Sequence, residues 1–136
     1  MKYILFLLFI SVNVNAETEL STSEEIKMND QCGLQTDVPK ESRLSNSLKW
    51  KTASEQENFG YDIYRSDTEE GEYEIINEDT LEGAGTTVNE TSYEFYDDNI
   101  DPCKVYYYYI ESIAMDGTRE AFTPKFPSKR KIEPKE

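Results

Sequence analysis

Residues 48–66 read LKWKTASEQENFGYDIYRS, and the spacing of the apolar side chains within them decides the fold class. Leu48 and Trp50 alternate with Lys49 and Lys51, and Tyr61 and Ile63 alternate with Asp62 and Tyr64. Each run presents one dry face and one wet face at the two-residue period of a strand. The polar residues 52–58 connect them. Further on, Tyr73 and Ile75 follow a turn closed by Gly71, and Tyr93 and Phe95 alternate with Glu94 and Tyr96. Residues 105–114 make the longest strand, Asp116-Gly117 is a hairpin turn, and residues 120–123 return before Pro124. Residues 34–40 read as a first strand, with Pro39 tolerated only on an edge. Residues 77–89, which hold Gly83 and Gly85, read as a loop. The result is an all-β sandwich of two antiparallel sheets with about seven strands.

Outward from this core, the ends differ in character. Residues 1–16 carry Lys2, an unbroken apolar stretch over 3–10, and Val14-Asn15-Ala16 before the cut expected after Ala16. This is the pattern of a secretory signal peptide, and the stretch is too short to span a bilayer. No cysteine stands at the cut to take a lipid, and no later stretch suits a membrane span. The expected location is secreted or periplasmic, with roughly 120 residues left after cleavage, enough for one domain. Residues 17–33 form an acidic lead-in expected to be flexible, with a short helix at 23–28 the one element it could start. Residues 125–136, KFPSKRKIEPKE, hold five basic and two acidic side chains and are expected to be a disordered tail.

Charge and composition exclude several functions. The formal net charge is −14, from 14 basic and 28 acidic residues. Such a surface repels phosphate backbones and anionic membranes, so nucleic acid is not an expected partner. The chain has no histidine, which removes Ser-His-Asp and Cys-His catalysis and histidine-ligated metals. No cofactor is expected. Two cysteines, Cys32 and Cys103, would by default form one disulfide in a secreted chain.

The segment 48–66, followed by GEYEIIN, LEGAGTT, SYEFYDDNI, VYYYYIESI and DGTREAF in that order and at matching distances, resembles the bacterial extracellular type of the fibronectin type III family. The resemblance covers residues 34–124. It implies sheets of three and four strands, with Trp50 in the core on the second strand. It also implies that Tyr106 is the corner tyrosine whose hydroxyl ties back to a nearby backbone group. Cys103 stands where the family has a turn glycine. In that topology Cys32 and Cys103 would begin strands at opposite ends of the sandwich. A seven-residue strand spans about 23 Å, whereas bridged Cα atoms lie within about 7 Å. An intramolecular bridge therefore requires the lead-in to double back, and intermolecular pairing or free thiols are the alternatives.

Alternation places Tyr64, and on the neighbouring strand Tyr107 and Tyr109, on the outer face of one sheet. Three tyrosines there could bind a protein or stack on a glycan, or could pair across strands and do no more than stabilise the sheet. Asp97, Asn99 and Asp101 have the D-x-N-x-D spacing that opens a calcium loop, although Pro102 replaces the glycine and Tyr108 the closing glutamate. The same residues also suit a polar inter-strand loop. Paired carboxylates such as Glu69-Glu70 lie in turns, where water keeps both ionised, so an enzyme is not expected. The reading is a non-catalytic module that acts in protein binding or as an envelope or extracellular accessory. The alternatives are a carbohydrate-binding module and a self-assembling structural protein. Expression with the leader is expected to release a chain beginning at Glu17, which N-terminal sequencing of the exported protein checks.

Overall fold

The computed structural model describes residues 29–135. The expected leader, residues 17–28 of the lead-in and the helix expected at 23–28 lie outside the described residues. Among the described residues eight strands form: β1 (Asn46–Thr52), β2 (Glu55–Ser66), β3 (Glu74–Ile75), β4 (Leu81–Thr87), β5 (Thr91–Asp97), β6 (Tyr107–Ala114), β7 (Arg119–Ala121) and β8 (Phe126–Pro127). They make two antiparallel sheets. β1 pairs with β5 along its whole length, from Asn46 opposite Asp97 to Thr52 opposite Thr91. The other six strands form the second sheet around the central pair β2 and β6. β3 and β4 line the far edge of β2, and β7 and β8 line the far edge of β6.

The alternation read from residues 48–66 sets the core. Burial along β1 strictly alternates, with Asn46, Leu48, Trp50 and Thr52 inside. Leu48 and Trp50 of β1 meet Tyr61 and Ile63 of β2 and Tyr108 and Ile110 of β6, with Ile100 and Tyr106 beside them. Tyr93, Phe95 and Phe126 pack at the margins. Each of the large apolar side chains contributes roughly 1.5–3 kcal/mol by leaving water. Trp50 stacks on Tyr93 at 5.4 Å and meets Tyr61 edge-on at 5.4 Å, so aromatic packing joins the two sheets.

Four expectations are corrected. Residues 34–40 form no strand: Val38 N–H bonds the Gln35 carbonyl, and a 3-10 turn follows at Lys40–Ser42. The reason lies in Gln35, buried to 1% exposure, whose amide does the work of a ladder rung. It accepts from Leu44 N–H (2.8 Å) and donates to the carbonyls of Leu44, Asp98 and Ile100 (2.7–3.2 Å). Residues 77–89 are not all loop, because β4 pairs with β2. Its glycines permit the approach: a Cβ on Gly83 would sit 2.7 Å from the Asn58 carbonyl oxygen, and Gly85 takes φ 68°. The 52–58 connection shrinks to two residues, since β2 begins at Glu55 and crosses a bulge where Glu57 adopts φ 48°. The tail is ordered through residue 132. β8 pairs with β6, Ser128 N–H bonds the Tyr106 carbonyl, and the amides of Lys131 and Ile132 bond that of Pro102. Proline is tolerated in β8 because that strand lies on an edge. Among the described residues the two sheets hold two and six strands, where the resemblance implied three and four.

Cys32 and Cys103 are joined in a disulfide with Cα atoms 5.3 Å apart. The distance objection assumed an extended first strand. Because residues 33–45 turn, starting at Gly33 with φ 112°, the lead-in doubles back and Asn29 N–H reaches the Ser42 carbonyl at 3.1 Å. The bridge closes a loop with a sequence separation of 71 residues. Replacing both cysteines by serine is expected to lower stability by about 3–5 kcal/mol through the entropy of the unfolded chain, measured by urea unfolding.

Candidate binding face

The outer face of the larger sheet carries the three tyrosines singled out in the sequence. Tyr64 of β2 and Tyr109 of β6 are direct cross-strand partners, and their rings stack at 4.6 Å with 6° between planes. Tyr107 lies two residues along β6 on the same side, opposite Pro127 of β8. The structure adds a fourth member. Tyr73, just before β3, packs on Tyr109 at 5.2 Å and 54°, and the Lys125 ammonium sits 4.9 Å from the Tyr73 ring centroid. Neither was legible beforehand: a two-residue strand gives no phase for Tyr73, and Lys125 belonged to the expected disordered tail.

Charges fence this row. The Tyr64 hydroxyl donates to Glu111 (3.1 Å), and Arg119 bridges Glu111 at 2.7 Å and Asp62 at 2.8 Å. Burial and the bond to Glu111 push the Tyr64 phenol up from its usual range, so it stays neutral and donating. Tyr73, Tyr109, Glu111, Thr123 and Lys125 line a shallow groove beside the stack. The Tyr64 and Tyr109 rings turn their faces toward each other.

The residues of the D-x-N-x-D spacing serve a different purpose. Asp97 is buried on β5, and Arg65 contacts both of its oxygens at 3.0 and 2.9 Å while also donating to the Asn99 carbonyl at 2.8 Å. The Tyr108 hydroxyl donates to Asp97 at 2.7 Å, and Asp101 accepts from Cys103 N–H at 2.9 Å. The carboxylate that would open a calcium loop is therefore occupied by a guanidinium and a phenol. Arg65 also lies over the Tyr106 ring at 5.1 Å, and the Tyr106 hydroxyl accepts from Asp101 N–H at 2.8 Å.

Two further buried carboxylates are equally engaged. Glu55 accepts from the hydroxyls of Tyr61 (2.7 Å) and Tyr93 (2.8 Å), from Asn58 (2.7 Å) and from Ala84 N–H (3.0 Å). Burial alone would raise its pKa, but these four donors outweigh burial and hold it below the usual carboxylate range. Burial, together with the bond to this carboxylate, pushes the Tyr93 phenol up to about 12. Asp62 follows the same logic, with burial opposed by Asn77, Arg119 and Thr80. Among the described residues no helix is long and apolar enough to cross a membrane.

Compared with known proteins, the chain matches no family model, no curated protein and no solved structure.

A carboxylate whose folded pKa is depressed contributes stability that is complete above its unfolded value and is lost as pH falls through the folded value. Urea unfolding between pH 7 and pH 3 is expected to show stability falling below about pH 4.3, the ordinary glutamate value. Glu55→Gln should flatten part of that fall. At pH 7 it should cost roughly 1–3 kcal/mol, because two buried phenols lose a charged acceptor.

Proposed function

We propose that this chain is a secreted or periplasmic, non-catalytic module of fibronectin type III type that binds a protein through the outer face of its six-stranded sheet. The observation that carries the reading is the row of Tyr64, Tyr109 and Tyr107 on the two central strands, with Tyr64 stacked on Tyr109, Tyr73 packed against Tyr109, and Lys125, Arg119 and Glu111 alongside. Tyrosines locked in this way lose little rotamer freedom on binding, which favours affinity. The pairing of β1 with β5 and of β2 with β6, and the Tyr106 hydroxyl bonded to Asp101 N–H, support the fibronectin type III resemblance. The disulfide is compatible with an oxidising compartment. The saturation of Glu55, Asp62 and Asp97 by donors supports a binding role over an acid–base one.

The test is capture of partners from envelope and culture-medium fractions by residues 17–136, run beside the triple variant Tyr64→Ser, Tyr107→Ser, Tyr109→Ser. Circular dichroism and Trp50 fluorescence confirm that the variant folds. A protein retained by the parent and bound at least about tenfold more weakly by the folded variant is the expected result, in line with loss of aromatic anchors. Equal capture by both overturns the assignment of this face.

A further inference from the structure

One border of the tyrosine row carries charge that no ion pair offsets. The turn from β2 into β3 reads SDTEEGEYE over residues 66–74, and its Asp67, Glu69, Glu70, Glu72 and Glu74 are all exposed. Among the described residues none of the five has an ion-pair partner, whereas Asp62, Asp97 and Glu111 each hold an arginine. Carboxylates left in this state repel one another and draw in positive charge. They do not converge on a metal. Among the described residues the ligating side chains that come together are Cys32, Asp101 and Cys103, at the disulfide. Dispersed carboxylates suit a ligand whose positive charges are likewise spread along a chain.

The second observation is what already sits on this face. The Lys125 ammonium lies 4.9 Å from the centre of the Tyr73 ring and donates to the Glu69 carbonyl at 3.3 Å. The Tyr73 hydroxyl donates to the same carbonyl at 2.9 Å, which holds the ring against the turn. Burial and the carboxylates of Glu69 and Glu70 push the Tyr73 phenol up, so the ring stays neutral. Tyr73 is therefore a seat for a cation, and the chain fills it with its own lysine. That occupant is replaceable. Lys125 is exposed, and an ammonium is strongly hydrated on a flexible stem, whereas a guanidinium is less hydrated and stacks flat on aromatic rings. Ile75 lies opposite Tyr64 and is 48% exposed, which gives the apolar stem of a long basic side chain a surface to cover.

We propose that the tyrosine face recognises an arginine-rich segment of a partner protein, one guanidinium replacing Lys125 on Tyr73 and others meeting the carboxylates of residues 67–74. This inference rests on the protein-binding reading above and names the partner's chemistry. The formal net charge of −14 draws such a segment in from a distance, and the aromatic row decides where it lands.

The test uses residues 17–136 and a fluorescein-labelled hexa-arginine peptide, titrated by anisotropy in about 0.15 M salt, where distant charges are largely screened. Tyr73→Ser, Tyr109→Ser keeps every charge and is expected to bind at least about fivefold more weakly. Glu69→Gln, Glu70→Gln, Glu72→Gln is expected to lose as much. Glu57→Gln, Glu82→Gln, Glu90→Gln removes the same charge toward the other end of the sandwich and should stay within about twofold of the parent. Lys125→Gln empties the seat and should bind at least about threefold more tightly than Lys129→Gln, which removes an equal charge beside β1. Equal affinity of parent and tyrosine variant, an equal loss in both glutamine triples, or no gain in Lys125→Gln overturns the proposal. The glutamine triples change only exposed side chains, so they decide the matter even where the tyrosine variant does not fold. A protein whose capture depends on Tyr64, Tyr107 and Tyr109 but not on Glu69, Glu70 and Glu72 keeps the binding face and overturns its arginine-rich partner. Loss of both dependences overturns the face itself.

Discussion

Burying a tyrosine commits a fold to finding an acceptor for its hydroxyl, because an unpaired phenol in an apolar interior forfeits its hydrogen bond to water. Tyr61, Tyr106 and Tyr108 lie in this core with Tyr93 at its margin, and the ties between the sheets follow from that demand. At one end Glu55 takes the hydroxyls of Tyr61 from its own strand and of Tyr93 from the opposite sheet. At the other end Asp97 takes that of Tyr108, while Asn46 donates to the same hydroxyl and Arg65 supplies the counter-charge. Each carboxylate spans the two sheets, so the pair pins both ends of the core. The aromatic rings between them, Trp50 with Tyr93 and Tyr61, fill the space that these ties define.

This arrangement also shows how so acidic a chain accommodates carboxylates in its interior. A buried carboxylate is tolerated only when donors replace its hydration, and here Glu55, Asp62 and Asp97 each have several. Among the described residues the exposed carboxylates have water to do the same work. The buried ones help hold the sheets together. The outer face of the larger sheet follows the same economy. Tyr64 and Tyr109 cover one ring face of each other, and the Tyr64 hydroxyl is taken up by Glu111.

The lead-in shows how a side chain can stand in for a strand. Gln35 bonds both backbone groups of Leu44 and reaches two carbonyls beyond β5, so these backbone groups are paired although residues 33–45 bend. That bend brings Cys32 to Cys103 and leaves one edge of β1 uncovered by any described strand. The tail behaves comparably: its prolines argue against a central strand, yet Phe126 and Ser128 find partners on the edge of β6.

The all-β class and the inward-facing residues of β1, β2 and β6 were determined by the sequence alone, because alternation is a property of neighbouring residues and needs no partner to be read. Trp50, Tyr61, Ile63, Tyr108 and Ile110 all lie where that period put them. The outward phase of Tyr64, Tyr107 and Tyr109 was legible for the same reason. What those tyrosines face was not, since Tyr73 and Lys125 arrive from segments whose own pattern is too short or too polar to carry a phase. Only the tertiary structure decided the pairings across the chain: Glu55 with Tyr93, 38 residues apart, Arg65 with Asp97, 32 apart, and Cys32 with Cys103, 71 apart. Each depends on where two strands or turns come to rest in space, and that is set by the packing of the whole core rather than by any local run of residues.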